Sequence, residues 1–511
     1  RRIGIDVGGT NTDAVLIEDG KVVGAVKAPT SEDVTTGILD SLKALGATGV
    51  LKGKKIDGVM IGTTHFINAV VQRRHLTRVG ALRLGMPASA SLPPFCDWPE
   101  DLADLVRGGV WMVEGGHEYD GRLFMPLDEA AVTKSAEEMK AKGLKSVAIS
   151  AIFSPLDPTH EKRAAELVAK VIPEAIITCS SDLGRIGLLE RENAGLLNAA
   201  LADLSRDTIA AFEKAIRDSG IAAPLFITQN DGTVAEASQA RRLPVYSFAS
   251  GATNSMRGAA YLSGLSDAMV IDVGGTTTDV GQLKNGFPRE ANSVVKVGGV
   301  RTLFRMPDLL SIGLGGGSHV QLDPLKVGPI SVGYRLLRDG IAFGGKQLTT
   351  TDVAIAAGVL TLGDRAKVAH LDAATCKKVF AEAARLSEEA IDRMKTEAGD
   401  VPLIAVGGGA FLIPEKLPGV SKVIHVQHGD CANAVGAAIA QVSGECDQIF
   451  KDMTRNEALA AAQGIANDRA VAAGAERKTL STIESEDMPL AYLPGNSVRV
   501  RVRVVGDVAG S

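Results

Sequence analysis

The sequence predicts an α/β fold of two related lobes that share a cleft. Two observations lead there. The nonapeptide IDVGGTNTD at residues 5–13 returns as IDVGGTTTD at residues 271–279, with only Asn11 and Thr277 differing. The second is composition: 45% apolar residues with 57 glycines and few aromatics suit strands and helices joined by many tight turns. At 511 residues the chain exceeds what one core supports, so each copy of the repeat is expected to open its own lobe.

The first lobe, residues 1–266, opens as a hairpin. A strand at 2–7 is followed by a return strand at 12–17, a Glu18-Asp19-Gly20 turn and a third strand at 21–28. Thr30-Ser31-Glu32-Asp33 reads as the cap of a helix running to about residue 45. A strand at 58–61 ends in Gly62-Thr63-Thr64-His65, which starts the next helix. Residues 77–125 lose the periodicity, break at Pro93-Pro94 and Gly115-Gly116, and read as an inserted subdomain or lid. Alternation resumes with helix 127–142, strand 146–153, helix 159–171 and strand 175–180. A helix or helix pair over 186–219 and a strand at 224–228 close at the Asn230-Asp231-Gly232 turn.

The second lobe, residues 267–446, repeats the hairpin at 269–273 and 278–283 and turns at Asn285-Gly286. A glycine-rich segment (313–318), helices at 350–360 and 373–398, and a strand at 402–406 follow. Gly407-Gly408-Gly409, a strand at 423–426 and a helix at 431–442 complete it. Residues 447–511 read as a helix and a strand pair without chemistry of their own.

Charge and cysteine content exclude several classes. Lys+Arg number 55 against 60 Asp+Glu, with no long block of either sign, so no nucleic acid or anionic membrane partner is expected. No apolar run approaches the roughly 20 residues that span a bilayer. The chain lacks an initiator Met and enters a strand at once, so no signal peptide is expected. Cys96, Cys179, Cys376, Cys431 and Cys446 are scattered and form no C-x-x-C pair. A cytoplasmic, reduced protein without a zinc or iron–sulfur site is the expectation.

The repeat carries the chemistry. In each copy an apolar strand ends in Asp and is followed by Gly-Gly, a hydroxyl cluster and a second Asp. Glycine lets backbone N–H groups approach a phosphate closely, and Thr hydroxyls add donors. The strand-ending Asp cannot favour a phosphate directly, but it can hold Mg2+, usually through water. Two such turns suggest one nucleotide between two lobes. No G-x-x-x-x-G-K-[ST] string occurs, and GLGGGS at 313–318 is not a dinucleotide fingerprint. His65 reads as a helix-start surface residue, Glu190-Arg191-Glu192 as a solvated face, and His117 and Glu118 as loop residues.

In their order the motifs resemble those of the superfamily of acetate and sugar kinases, Hsp70 chaperones and actin. The resemblance matches residues 6–13 and 272–279 to two phosphate loops, and residues 406–410 (VGGGA) to an adenosine loop. It matches the small-residue helices at 193–202 and 432–440 to two connecting helices. Within that superfamily the chain is similar to the ATP-binding A-type subunit of the hydantoinase/5-oxoprolinase family. The similarity rests on the IDVGGT-x-TD start, Gly62-Thr63-Thr64 with Asn68-Ala69, PLDPTHE at 155–161 and Ser180-Ser181. It continues with Glu190-Arg191-Glu192 leading to Leu197-Asn198-Ala199, then Gln229-Asn230-Asp231-Gly232, the second DVGGTTTDV, residues 312–318 with Val327-Gly328-Pro329, and Thr351-Asp352.

The resemblance implies ribonuclease-H-like, actin/Hsp70-type lobes around ATP and Mg2+ (or Mn2+). It implies a hydrolase that phosphorylates a cyclic amide of hydantoin, lactam or 5-oxoproline type to drive ring opening. A B-type partner subunit and an oligomeric assembly come with it. A small-molecule sugar or carboxylate kinase and an ATP-switched scaffold are the alternatives. Gly8, Gly9, Thr10, Asn11 and Thr12 would line the first loop, and Gly274, Gly275, Thr276 and Thr277 the second. Asp6 and Asp272 would organise the metal, and Asp13 and Asp279 are second candidates for orienting water or metal. Gly407, Gly408 and Gly409 would pack against adenosine.

Overall fold

A computed structural model of the chain describes residues 1–509 apart from 9–10, 30–33, 185, 292–293 and 492–494. Arg2–Val7 (β1), Asn11–Glu18 (β2) and Lys21–Pro29 (β3) form an antiparallel meander. The helix Val34–Ala47 (α1) crosses over, and Gly58–Thr63 (β4) joins β1 in parallel before the helix His65–Gln72 (α2). The cap expected at Thr30-Ser31-Glu32-Asp33 lies outside the described residues. Ile3, Ile5, Val59 and Ile61 are fully buried, the mark of parallel strands covered on both faces.

A separate sheet follows. It comprises Val79–Met86 (β5), Glu100–Val106 (α3), Arg107–Glu114 (β6), Glu129–Ala141 (α4), Ser146–Ala151 (β7), Thr159–Val171 (α5) and Ile176–Cys179 (β8). Its order is β6-β5-β7-β8, all parallel. The stretch 77–125 therefore carries two strands and a helix. β5 hides this from a periodicity reading because it is buried along nearly all its length and does not alternate.

The helix Leu188–Ala200 (α6) packs beneath this sheet, and on its other side Asn193 donates to the Arg301 carbonyl at 2.9 Å. Arg191 and Glu192, expected on a solvated face, are buried. Arg83 of β5 donates to Glu192 at 2.5 and 2.8 Å, and the Ser150 hydroxyl of β7 donates to it at 2.6 Å. Arg191 Nε donates to Ser180 Oγ at 3.0 Å. Charges this deep persist only when hydrogen-bonded on several sides. The adjacent Glu-Arg-Glu string conceals partners on distant strands: the Ala151 carbonyl for Arg191, 40 residues away, and Arg83 for Glu192, 109 residues away.

Ala202–Asp218 (α7), Leu225–Thr228 (β9), Val234–Glu236 (β10), Ala237–Arg242 (α8) and Ser250–Ser263 (α9) return to the first sheet, where β9 lies parallel to β4. Ala268–Val273 (β11), Thr278–Lys284 (β12) and Phe287–Pro288 (β13) then repeat the opening meander. Val295–Val297 (β14) and Val300–Thr302 (β15) make a small hairpin, Leu309–Ile312 (β16) pairs with β12, and Ser318–Leu322 (β17) with Leu325–Ser331 (β18) make another hairpin. After Leu336–Asp339 (α10), Thr350–Ala356 (α11) and Ala373–Met394 (α12), the strands Val401–Val406 (β19) and Val420–His425 (β20) extend the sheet in parallel. The order β3-β2-β1-β4 is thus reproduced as β13-β12-β11-β19, giving two lobes on one plan.

Ala432–Ile439 (α13) crosses α9 at backbone contact. A Cβ on Gly436 would overlap the Asn254 carbonyl oxygen, and one on Gly258 would overlap that of Ala432. The helices that meet between the lobes are therefore α9 and α13, not 193–202 and α13. Val442–Phe450 (β21), Arg455–Ala472 (α14), Ser481–Pro489 (β22) and Val498–Gly506 (β23) finish the chain and enlarge the first sheet to nine strands. Ala458, Ala462, Ala466 and Ala470 of α14, four residues apart, are fully buried on them.

The tail also carries charge into the molecule. Arg305 lies 2.7 Å from Glu445, 3.0 Å from Glu290 and 3.6 Å from Asp231. Arg501 and Arg503 of β23 share Glu290, and Arg503 stands 3.3 Å from Asp231. The network ties the Asn230-Asp231-Gly232 turn, the second lobe and the C-terminal strands together.

Candidate active site

Each hairpin brings its two aspartates face to face. Asp6 opposes Asp13 in the β1–β2 ladder, and Asp272 opposes Asp279 in β11–β12. Burial pushes the Asp6 carboxyl up to about 7, with Asp13 adding to the effect and Asp272 adding less. Burial likewise raises Asp272 to about 6, opposed by a Ser255 hydrogen bond and reinforced by Asp279 and Asp13. Asp13 and Asp279 are raised by burial as well. Asp272 acts on Asp6 and Asp13 on Asp272, so the acids of the two turns lie near enough to feel each other's charge.

Residues outside the motifs hold these acids. Asn433 of α13 donates its amide to Asp6 Oδ2 at 3.0 Å and opposes the rise that burial imposes on Asp13. Asn254 of α9 donates to Asp6 Oδ1 at 3.4 Å and to Thr228 Oγ1 at 3.0 Å. Lys27 of β3 lies 2.7 Å from Asp13 and donates to the Asp430 carbonyl at 3.0 Å. Sequence reading missed all of them. The available signal was an Asn placed within a run of small apolar residues, as in CANAVGAA and SGATNSMRG.

Two glycines make room for the carboxylates from the neighbouring parallel strands. Gly62 is opposite Asp6 in β4, and a Cβ there would stand 2.5 Å from Asp6 Oδ1. Gly407 follows β19, has φ +91°, and a Cβ there would overlap Asp272 Oδ1. Gly407 and Gly409 hydrogen-bond Gly429 O and Val273 O at 2.8 and 2.7 Å, which seats the 407–409 turn on the end of β11.

The turns themselves are built alike. Gly8 N donates to Asn11 O at 3.0 Å, and Gly274 N to Thr277 O at 2.9 Å, so both of these amides close their turns. Gly9 and Thr10 lie outside the described residues. In the second turn, Gly316 N takes the Gly274 carbonyl at 2.9 Å and Gly317 N takes that of Gly275 at 2.7 Å. The 313–318 segment therefore braces this loop. In a trans peptide the carbonyl and the following N–H point in opposite directions. The amides of Gly275 and Thr276 consequently face away from the brace.

Thr276 and Thr277 are exposed, whereas Thr278 is buried and donates to Leu314 O at 2.7 Å. Thr12, its counterpart, is also buried, and its hydroxyl lies beneath Gly37 of α1. Asn11 and Gly8 are half-buried. His65 is half-buried, and His319 sits at a bridge to Thr349 beyond the brace. His117 is buried against Asp157, at 3.2 Å, and His160.

Among the described residues, no three carboxylate, histidine or thiol side chains converge tightly enough to ligate one ion directly. The four carboxylates, Asp6 and Asp13 buried and Asp272 and Asp279 half-buried, nevertheless fit a hydrated divalent cation, whose waters span the longer distances. Asn254 Oδ1 is a further buried acceptor with no hydrogen bond from the described residues.

Comparison with known families places the chain as a whole. The family model for the hydantoinase/oxoprolinase N-terminal region matches residues 2–172, and that for hydantoinase/oxoprolinase matches residues 191–394. The chain belongs to the hydantoinase/oxoprolinase family.

Among relatives of this hydantoinase/oxoprolinase chain, the caprolactamase subunit alpha of Pseudomonas jessenii is 28% identical over 393 residues, covering 71% of this chain and 55% of that protein. The acetophenone carboxylase gamma subunit of Aromatoleum aromaticum is 26% identical over 393 residues, covering 70% and 53%. The chain spans about half the length of the curated relatives it matches. The crystal structure of ATP-dependent caprolactamase from Pseudomonas jessenii has the same fold, with a TM-score of 0.78 at 20% identity over 99% of this chain and 87% of that one. Both curated relatives are named as subunits. No helix among the described residues is long and apolar enough to cross a membrane, and all five cysteines are free thiols.

Proposed function

We propose that the chain is the ATP-dependent, phosphorylating subunit of a cyclic-amide hydrolase acting on a hydantoin, lactam or 5-oxoproline-type ring. The observation that carries this reading is the pair of mirrored aspartate hairpins, whose acids feel each other's charge, set in a hydantoinase/oxoprolinase chain with a caprolactamase relative. An unstrained amide is a poor electrophile. Phosphorylation of its carbonyl oxygen, with release of ADP, gives an electrophilic imidate-type species; water adds to the carbon, the ring C–N bond breaks as the nitrogen takes up a proton, and a second water hydrolyses the resulting acyl phosphate to carboxylate and inorganic phosphate.

Magnesium or manganese ATP supplies the transferable phosphoryl group. Asp6 and Asp272 hold the hydrated cation in this reading, with Asp13 and Asp279 behind them. The exposed Thr276 and Thr277 hydroxyls and the amides of Gly275 and Thr276 face the phosphates of the second loop. Asn11 does so in the first, where Gly9 and Thr10, outside the described residues, are assigned the same role by the resemblance. Gly407, Gly408 and Gly409 offer a flat backbone surface to adenosine. The buried Thr12 serves the packing of α1. Most of the work is positioning and charge neutralisation, as phosphoryl transfer requires.

A B-type partner subunit, an oligomeric assembly and a reducing, cytoplasmic setting belong to the same reading. The test is ADP release from the purified chain with a panel of lactams, hydantoins, sugars and carboxylates, with and without a candidate partner. Stimulation by a ring amide supports the proposal. A phosphorylated sugar or carboxylate product would make it a kinase instead, and turnover coupled only to assembly would make it a scaffold.

A further inference from the structure

Both oxygens of Asp6 are taken by amides from the two helices that cross between the lobes. Asn433 Nδ2 of α13 donates to Asp6 Oδ2 at 3.0 Å, and Asn254 Nδ2 of α9 donates to Asp6 Oδ1 at 3.4 Å. Asn254 Nδ2 also donates to Thr228 Oγ1 at 3.0 Å. Turning that amide over would set its oxygen against a carboxylate, so its orientation is fixed by its partners.

Each helix also seats the other's asparagine. Gly436 lies three residues after Asn433 on the same face of α13, and a Cβ there would overlap the Asn254 carbonyl oxygen. Gly258 lies four residues after Asn254 on α9, and a Cβ there would overlap the carbonyl oxygen of Ala432, the neighbour of Asn433. The spacing of the two amides is therefore set by main-chain contact between the helices.

We infer that Asn433 and Asn254 are positioning residues that clamp Asp6 in one orientation, in which it organises the water shell of the cation. The inference rests on the nucleotide–metal reading above and deepens it.

The reasoning is geometric. The terminal torsion of an aspartate is broad, so an untied carboxylate turns easily about it. Donors on both oxygens remove that freedom. An ionised carboxylate offers about four lone-pair sites, and the clamp fills one on each oxygen. One on each oxygen is left for water bound to the cation. Neither asparagine touches the reacting atoms in this account; both act through Asp6.

The test is Mn2+ affinity, measured by electron paramagnetic resonance in the presence of ADP. It is run on the wild-type chain, Asn433→Leu, Asn254→Leu and Arg83→Met, each with a melting curve and a metal-free ADP affinity. Leu keeps the branching of Asn but donates nothing. Arg83→Met is the destabilised control, since Arg83 belongs to the inserted sheet and pairs with Glu192. Loss of an outer-shell donor is expected to weaken Mn2+ binding by at least ~10-fold in each Leu variant. Mn2+ affinity in Arg83→Met, and metal-free ADP affinity in every variant, should stay within about twofold of wild type, as independent sites require. Each arm is tested by itself, so a variant that fails to fold leaves the other to decide. Wild-type Mn2+ affinity in a folded Leu variant overturns the clamp alone. So does an equal loss in Arg83→Met, which would trace the weakening to lower stability. Absence of Mn2+-dependent ADP binding in the wild type overturns the nucleotide–metal reading, and the clamp with it.

Discussion

Gly407 lies against Asp272 so closely that any side chain there would overlap the carboxylate. The cause is the register of β19 beside β11, which puts Val406 opposite Asp272 and the glycine directly beyond it. The first lobe solves the same problem with Gly62 opposite Asp6. Gly407 also has φ +91°, a region costly for an L-residue. Gly407→Ala is therefore expected to cost about 1–3 kcal/mol of stability and to displace Asp272, abolishing ADP release. Thermal melts and an ADP assay check it; a stable, active variant would mean that Asp272 has no fixed place in the chemistry.

The threonines of the second loop divide by exposure. Thr277 is exposed, and its hydroxyl is assigned to phosphate, where a hydrogen bond to a charged group contributes about 1.5–3 kcal/mol. Thr277→Ala should raise KM for ATP by ~10-fold or more with an unchanged melt. Thr278 is buried and donates to Leu314 O at 2.7 Å. Thr278→Ala should instead lower stability by about 1–3 kcal/mol with a much smaller change in KM. The reverse pattern would reassign the loop.

How much was legible in the sequence follows from these same residues. The repeat announced both hairpins, because a strand–Asp–Gly-Gly–hydroxyl–Asp string is local and needs only its own turn. The helices between the lobes were not so easily read. Residues 193–202 and 250–263 are both rich in small residues, and only tertiary packing separates the helix beneath the inserted sheet from the one that crosses α13. Thr12 was placed at the phosphate by analogy with its neighbours, but strand alternation turns its side chain to α1. Arg191 and Glu192 looked solvated because their partners come from distant strands. Asn254, Ser255 and Asn433 left only the trace of polar side chains in otherwise small, buried helices.

Arg305 is the hub of the charge network between the second lobe and the tail. It is 10% exposed and surrounded by Asp231, Glu290 and Glu445. Arg305→Met would leave these acids under-compensated and should destabilise the chain by about 3–5 kcal/mol, read as a lower melting temperature. The pH dependence has a definite sign. Burial opposes ionisation of Asp231, but Arg503 and Arg305 outweigh it and hold the carboxyl below its usual value of 3.8. The unfolded chain therefore binds this proton more readily. The stabilisation is complete above the unfolded pKa and is lost as pH falls through the lower folded one. In Asp231→Asn the melting temperature should decline less over the acid range; an identical decline would show that Asp231 contributes nothing.

Arg83 and Glu192 form a pair buried beneath the inserted sheet, at 2.5 Å. Arg83→Met leaves a buried carboxylate with the Ser150 hydroxyl as its remaining side-chain donor among the described residues and should cost about 3–5 kcal/mol. The double variant Arg83→Met/Glu192→Leu removes both charges and should melt higher than Arg83→Met alone. A double variant no more stable than the single would mean that lost packing, not the orphaned charge, sets the cost.

The most direct test of the twin-hairpin account is titration calorimetry of a non-hydrolysable ATP analogue into the chain, with Mg2+ and with EDTA, repeated on Asp6→Asn and Asp272→Asn. The account predicts one analogue per chain, bound far more tightly with Mg2+, and loss of that Mg2+ enhancement in either variant although they lie in different lobes. Binding indifferent to Mg2+, or an enhancement that survives both substitutions, would contradict it.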